Sequence, residues 1–189
     1  MTAARRRAYV GLGSNLDGPV LRVRKAIEAL ARLPRSALVA TSRLYRSEPL
    51  GPPGQPDYVN AAVALDTALD PVALLDRLQA IEVQHGRERG LHWGPRTLDL
   101  DLLLYGDLQM HTARLTLPHP HLHERAFVLQ PLLDIDPDLA VPGLGHADVL
   151  LAGLPKDLVA DLRTAGVDDF IHVRSDAHAA LSLARKRRR

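Results

Sequence analysis

The segment Trp93 to Gly106, WGPRTLDLDLLLYG, constrains the fold of this 189-residue chain more than any other stretch. Gly94-Pro95 punctuates a loop, and from Leu98 leucine alternates with aspartate until the run turns wholly apolar. That pattern is a strand entering a core. Residues two apart on a strand share a face, so Asp99 and Asp101 project together while Leu98, Leu100 and Leu102 pack on the other side. The two carboxylate stems stand roughly 6.5–7 Å apart, and like charges at that spacing repel. Arg96, full solvation or a hard divalent ion must offset them, and carboxylate oxygens are natural ligands for such an ion. A bare D-x-D is more often the wet face of an antiparallel strand. Here the adjoining arginine, tryptophan and Gly-Pro turn favour a cation site.

Composition narrows the classes. A hydrophobic fraction of 46% over 189 residues supports one sizeable core, read as a domain over residues 1–160 followed by a C-terminal extension with a basic tail over 161–189. No apolar run is long enough to cross a bilayer, and MTAARRRAYVGLG lacks a secretory pattern, so no membrane partner and a cytoplasmic location are expected. With no cysteine, disulfides and thiolate metal sites are excluded. The net charge of +2 hides an asymmetry: Arg5 to Arg7 and Arg185 to Arg189 carry eight positive charges, and removing them from +2 leaves −6 for the body. Short basic ends are usually solvated and frayed, so nucleic acid is not the expected partner.

Along the chain, Ala8 to Gly13 reads as a strand ending in GLGSN. That string lacks the third glycine of a dinucleotide fingerprint and the lysine of a P-loop, and is read as a tight turn into a helix started by Asp17, Gly18 and Pro19. Val20, Val23, Ile27, Leu30 and Leu33 follow at helical spacing. Ala37 to Ser47 reads as one strand, and Tyr58 to Thr67 as its antiparallel partner. Between them Glu48 to Pro56 holds four of the fourteen prolines and forms a preorganised wall. Tyr58 and Asn60 share a face that could clamp and hydrogen-bond a flat heterocycle, although such a pair is more often edge packing. Asp70-Pro71 starts a helix running to about Gly86 that sets Gln79 and Glu82 on a common face. Arg87, Arg89 and Arg96 cluster around a polar loop suited to a polyphosphate carrying magnesium. In LPHPHLHER, His119, His121 and His123 are two apart, but the prolines break regular geometry and argue against zinc. Phe127 to Leu133 reads as a short helix, and the chain beyond Gly143 as weak helices with a charged tail.

The order strand, helix, strand, strand, helix, strand is a split β-α-β arrangement used twice. The expected fold is therefore α+β: a ferredoxin-like βαββαβ antiparallel sheet with helices on one face, plus a C-terminal helical extension. Asp99 and Asp101 are expected on the face left open.

Three strings in order, GLGSNL, YRSEPLGPPGQPDYVNAAV and WGPRTLDLDLLLYG followed by LTLPHP, resemble the 6-hydroxymethyl-7,8-dihydropterin pyrophosphokinase family of folate biosynthesis over roughly residues 8–150. The resemblance implies transfer of a pyrophosphoryl group from ATP to the hydroxymethyl oxygen of the pterin by a monomer, with release of AMP. It implies two Mg2+ ions on Asp99 and Asp101, and a catalytic set of Arg87, Arg96, Asp99 and Asp101. Gln79, Glu82, Arg89, Trp93, Leu102, Arg114, Thr116, His119 and Arg125 would bind ATP. Ser47, Glu48, Leu50, Tyr58, Asn60 and Phe127 would bind the pterin. The chain departs from the family's pattern at Gly90, where lysine is frequent, and at Pro120, where tyrosine is. A nucleic-acid module of this fold would need more stacking aromatics than two Phe and one Trp. A metal-dependent phosphohydrolase using the same aspartates would consume ATP without any pterin.

Overall fold

The structure, a computed structural model, describes residues 4–50, 53–86, 96–160 and 162–165. It opens with strand β1 (Arg6–Ser14), helix α1 (Pro19–Ala31) and strands β2 (Ser36–Thr41), β3 (Tyr45–Ser47) and β4 (Tyr58–Thr67). Helix α2 (Pro71–Gln84) and strand β5 (Asp99–Tyr105) follow, and then the short hairpin β6 (Met110–His111) and β7 (Thr116–Leu117). A 3-10 turn (Leu122–Glu124) leads into α3 (Ala126–Ile135), a second hairpin of β8 (Ala140–Val141) and β9 (Gly145–His146), helices α4 (Ala147–Ala152) and α5 (Lys156–Ala160), and strand β10 (Arg163–Thr164).

The main sheet is antiparallel, ordered β10-β3-β4-β1-β5, with β2 also on β4. The stretch expected as one strand, Ala37 to Ser47, is two. Between them the Ser42 hydroxyl accepts the Ala62 N–H at 2.8 Å while the Ser42 N–H donates to the Ala62 carbonyl, so a side chain stands in for one ladder bond and the strand bends. Helix starts follow their sequence signals. Asp70 accepts the Ala73 N–H at 2.9 Å ahead of Pro71, and Gly18 takes φ 75° ahead of Pro19.

Strand alternation divides the apolar residues between two cores. Ala8, Val10, Leu12, Val59, Ala61, Val63, Leu98, Leu100 and Leu102 pack with Val23, Ile27 and Leu30 of α1 and Leu74, Leu78 and Ile81 of α2. Tyr9, Ala62, Ala64, Leu103 and Leu104 pack on the other side with Leu129, Leu132 and Ile135 of α3 and Ala147 of α4. The expectation of helices on one face only is therefore corrected: α3 and α4 cover part of the second face. Leu122 and Leu129, both fully buried, remove enough apolar area there to stabilise that layer by roughly 1.5–3 kcal/mol each. The reading of weak helices after Gly143 meets α4 and α5, but it omitted the strand pairings: β9 closes a hairpin with β8, and β10 pairs with β3 through Arg163–Arg46 and Thr164–Tyr45. Two residues of strand carry too little periodicity to show in the sequence.

β5 contains a bulge. Asp101 pairs with Gly11 and Leu102 with Val10, but Leu104 pairs with Tyr9, so Leu103 is an extra residue. The bulge turns Leu103 and Leu104 to the same core. It also leaves the Leu103 carbonyl to accept the His119 N–H at 2.9 Å, which ties the segment after β7 to the strand bearing both aspartates.

Candidate active site

Where α3 stops covering the second face, a cavity of about 330 Å³ opens. Two transverse rows of the sheet make its floor: Asn60, Gly13 and Asp99 in one, and Ala62, Gly11 and Asp101 in the other. Each aspartate thus has a glycine as its cross-strand neighbour. A Cβ at Gly11 would meet Leu103 Cδ1 at 3.2 Å, and one at Gly13 would meet Asn60 Oδ1 at 3.4 Å. With no side chain at either place the floor stays low, and two strand spacings set Asn60 roughly 10 Å from Asp99.

At the Asn60 end, Asn60 is buried and its Nδ2 donates to the Ser47 hydroxyl at 2.8 Å, which fixes the amide orientation. Ser47, Glu48, Leu50 and Tyr58 line that end from β3, β4 and the proline-rich loop, and Phe127 and Val128 of α3 face them. At the other end Arg96 Nη1 contacts Asp99 Oδ1 at 2.5 Å. Burial lowers the Arg96 guanidinium pKa, and Asp99 more than offsets this, so the net shift is upward. Asp101 is driven the other way. Desolvation, then the Asp99 charge and Glu82, push its carboxyl above the ordinary range, against Arg125 and Arg96. Water still reaches 39% of its side chain, which lines the cavity. His119 Nε2 lies 3.9 Å from Asp101 Oδ2, and this is no ion pair at neutral pH. Burial, followed by Arg125 and His121, holds the imidazole down at about 4. Arg125 reaches over the Phe127 ring, with Cζ 5.8 Å from the centroid.

Of the expected site residues, Ser47, Glu48, Leu50, Tyr58, Asn60, Arg96, Asp99, Asp101, His119, Arg125 and Phe127 meet around this one cavity. Five lie elsewhere. Leu102 is buried in the α2-side core. Glu82 is buried on α2 and accepts the Leu100 N–H at 2.7 Å, so it props the β5 backbone between the two aspartates. Arg114 pairs with Asp76 of α2 at 2.5 Å, Thr116 meets His111 Nδ1 at 2.9 Å, and Gln79 is exposed on α2. None of these last three is in the cavity lining: Gln79 and Arg114 are on or against α2, and Thr116 lines a second recess. Arg87, Arg89 and Trp93 lie outside the described residues. The three histidines separate: His119 and His121 line the cavity, whereas His123 lines a second recess with His111 and Pro142.

Sequence reasoning missed Gly11, Gly13 and Asn15, and named His121 only within the histidine cluster. The GLGSN string is a strand end whose last residues bind other segments. The Ser14 hydroxyl donates to the Thr97 carbonyl at 2.6 Å, and Asn15, 2% exposed, is bonded to Arg96 and Pro56. A buried polar pair after a strand was the available signal.

An α+β fold with carboxylates and an arginine at one end of a cavity, and Asn60, Tyr58 and Phe127 lining the other, fits a phosphoryl-transfer enzyme acting on a flat, hydrogen-bonding substrate. The model of the 7,8-dihydro-6-hydroxymethylpterin-pyrophosphokinase (HPPK) family matches residues 9–137, and the chain belongs to that family. It is 54% identical over 149 residues to the 2-amino-4-hydroxy-6-hydroxymethyldihydropteridine pyrophosphokinase of Pseudomonas aeruginosa, covering 79% of this chain and 92% of that one. It is 51% identical over 135 residues to the enzyme of that name from Haemophilus influenzae, covering 71% and 84%. Among solved structures, a Plasmodium falciparum HPPK-DHPS crystal structure superposes with a TM-score of 0.63 at 14% identity, over 78% of this chain and 44% of that one. This chain spans under half of that longer protein, and the likeness is one of fold.

Proposed function

We propose that this chain transfers the pyrophosphoryl group of ATP to the hydroxymethyl oxygen of 6-hydroxymethyl-7,8-dihydropterin, releasing AMP and the pterin diphosphate. The observation that carries the reading is the pair of transverse rows, with Asn60 at one end, Asp99 and Asp101 at the other, and only glycine and alanine between them. Tyr58 and Phe127 flank the Asn60 end as walls for a flat ring. Asn60 offers Oδ1 to the ring's N–H groups, because Ser47 already takes Nδ2.

The residues at the other end fit Mg2+. Asp99 and Asp101 supply hard carboxylate oxygens, and the upward shift of Asp101 marks negative charge that its protein surroundings under-compensate. Among the described residues no group of three or more acidic, histidine or cysteine side chains is arranged to hold a metal ion. Two carboxylates suit Mg2+, which takes one or two from the protein and completes its shell with water and phosphate oxygens. Two ions bound to the triphosphate would neutralise charge on the transferring group.

The chain's own residues align and neutralise. Arg96, held beside Asp99, presents its remaining guanidinium N–H groups to phosphate oxygens, and Arg125 stands across the cavity from it. His119 is neutral, so it donates one N–H and adds no charge. Arg87 and Arg89, outside the described residues, are proposed to contact phosphates, and Gln79, Glu82, Trp93, Leu102, Arg114 and Thr116 are proposed on the nucleotide side. Catalysis is then alignment of the pterin hydroxyl with the β-phosphorus plus charge stabilisation.

The same reading takes the strand order β3-β4-β1-β5, with β2 and β3 as one broken strand, as a ferredoxin-like βαββαβ unit. It takes residues 1–160 as the pyrophosphokinase domain, residues 161–189 as an extension with a basic tail, and the chain as a cytoplasmic monomer. Among the described residues no helix is long and apolar enough to cross a membrane. Incubation with ATP, Mg2+ and the reduced pterin tests the activity. AMP formed only when pterin is present supports it, and ATP consumed equally without pterin overturns it in favour of a phosphohydrolase.

A further inference from the structure

Asn15 makes four bonds across long stretches of sequence. Its side-chain Oδ1 accepts the Arg96 N–H at 2.9 Å, and its own N–H donates to the Arg96 carbonyl at 3.1 Å. Its Nδ2 donates to the Pro56 carbonyl at 3.1 Å and approaches Gln55 Oε1 at 3.4 Å. The amide orientation is dictated by its neighbours, since a backbone N–H needs an acceptor and a backbone carbonyl a donor. At 2% exposure, the amide has no room to trade these partners for water.

The two segments it joins belong to opposite ends of the cavity. Pro56 lies two residues before Tyr58, on the proposed pterin side, and Arg96 lies three residues before Asp99, on the proposed phosphate side. Neither segment has its own regular pairing there: residues 53–57 precede β4, and residues 96–98 precede β5. The neighbouring Ser14 hydroxyl, on the Thr97 carbonyl, reinforces the phosphate side only.

We infer that Asn15 is a positioning residue that fixes the pterin wall and the magnesium strand relative to each other, so that one buried amide sets the distance between the two substrates. It touches neither substrate, and it acts through the Pro56 and Arg96 backbones. The inference rests on the pyrophosphokinase reading above. In-line transfer is sensitive to displacements of an ångström, so release of both segments lowers the rate without removing any contact to a reacting atom, whereas release of the pterin wall alone weakens pterin binding while the phosphate side stays aligned.

The two bonds can be cut separately. Asn15→Asp keeps an oxygen for the Arg96 N–H and replaces the donor to Pro56 with a second oxygen that repels that carbonyl. It is expected to raise KM for the pterin about 10-fold, with kcat within about threefold of wild type, because the phosphate side stays held. Asn15→Ala cuts both bonds and is expected to lower kcat/KM by about 100-fold, through kcat as well as KM. Leu33→Ala, in the α1-side core away from the cavity, lowers Tm and serves as the control for destabilisation alone. Its KM and kcat are expected to stay within twofold of wild type at a temperature where all variants are folded. The inference is overturned if Asn15→Asp loses kcat as much as it gains in pterin KM, if it changes neither, or if Leu33→Ala reproduces the same pattern. Where Asn15→Ala fails to fold, the Asn15→Asp split decides. A wild-type chain that makes AMP with pterin while Asn15→Asp behaves normally sinks this inference and leaves the activity standing. A wild-type chain that makes none sinks the activity itself.

Discussion

Asp134 and Asp101 are both carboxylates turned toward the second face of the sheet, and the chain treats them in opposite ways. Asp134, on α3 with 11% of its side chain exposed, accepts bonds from the N–H, Nε and Nη2 of Arg43 and from the Tyr45 hydroxyl, between 2.6 and 3.1 Å. Its charge raises the pKa of Arg43 through the hydrogen bond, and that of Tyr45 together with burial. Asp101 is desolvated, faces a neutral imidazole at 3.9 Å and a second carboxylate two residues away, and is only partly compensated by Arg125 and Arg96. A carboxylate that is fully hydrogen-bonded holds the fold, whereas one left short of positive charge stores a need for an external cation. The same sheet face thus carries a structural anchor under α3 and a candidate ligand site beyond it.

Substitution at each aspartate sharpens that contrast. The largest expected effect is on turnover: Asp101→Asn or Asp99→Asn should lower kcat by at least ~10³-fold, the scale of a lost metal contribution, while Asp134→Asn stays within about threefold. AMP formation measured by chromatography checks this, and equal losses at Asp101 and Asp134 would break the comparison.

Stability should move in the reverse order. Asp134→Asn leaves Arg43 and Tyr45 with a weaker acceptor and should cost about 1–3 kcal/mol in urea unfolding, kept low because Arg43 is 40% exposed. In the metal-free protein Asp101→Asn should instead raise stability, by less than roughly 1 kcal/mol, because cavity water screens the charge it removes. The folded-state pKa of Asp101 lies above the ordinary 3.8, so its ionisation penalty is absent at low pH and accumulates as pH rises from that value to the raised one. The gain from Asp101→Asn should therefore appear at pH 8 and vanish below pH 4. A variant less stable than wild type at pH 8 would show that Asp101 is already compensated.

The smallest effect concerns His119. Its folded pKa of about 4 is below the ordinary 6.5, so it is held neutral and its protonation must destabilise the fold as pH falls through that interval. His119→Gln should flatten the stability profile between pH 6.5 and 4. Thermal melts across that range check it, and an unchanged slope would mean that the ring protonates freely in place.

The Asp101 half of this contrast was legible in the sequence, and the reasons are local. Period-two alternation put Asp99, Asp101, Tyr58 and Asn60 on faces that the structure brings to one cavity, because strand geometry fixes side-chain direction from spacing alone. Arg96 was read as the offsetting cation and stands against Asp99. What spacing cannot encode is which layer an apolar helix joins. Phe127 to Leu133 read as a helix on the core, but nothing in those residues says that α3 packs opposite α1 and α2. Asp134 was invisible for the same reason, since its partners are about ninety residues away. The Leu103 bulge and the Asn15 clamp were likewise hidden, because each depends on pairings between distant segments.

The most direct test of the account replaces Mg2+ with Mn2+ in crystals grown with a non-hydrolysable ATP analogue and locates the metal by anomalous scattering. Density between the Asp99 and Asp101 carboxylates and the phosphate oxygens, with Asp134 still bound to Arg43, is the result expected. Manganese held elsewhere, with Asp99 still locked to Arg96 and Asp101 turned to water, would contradict it.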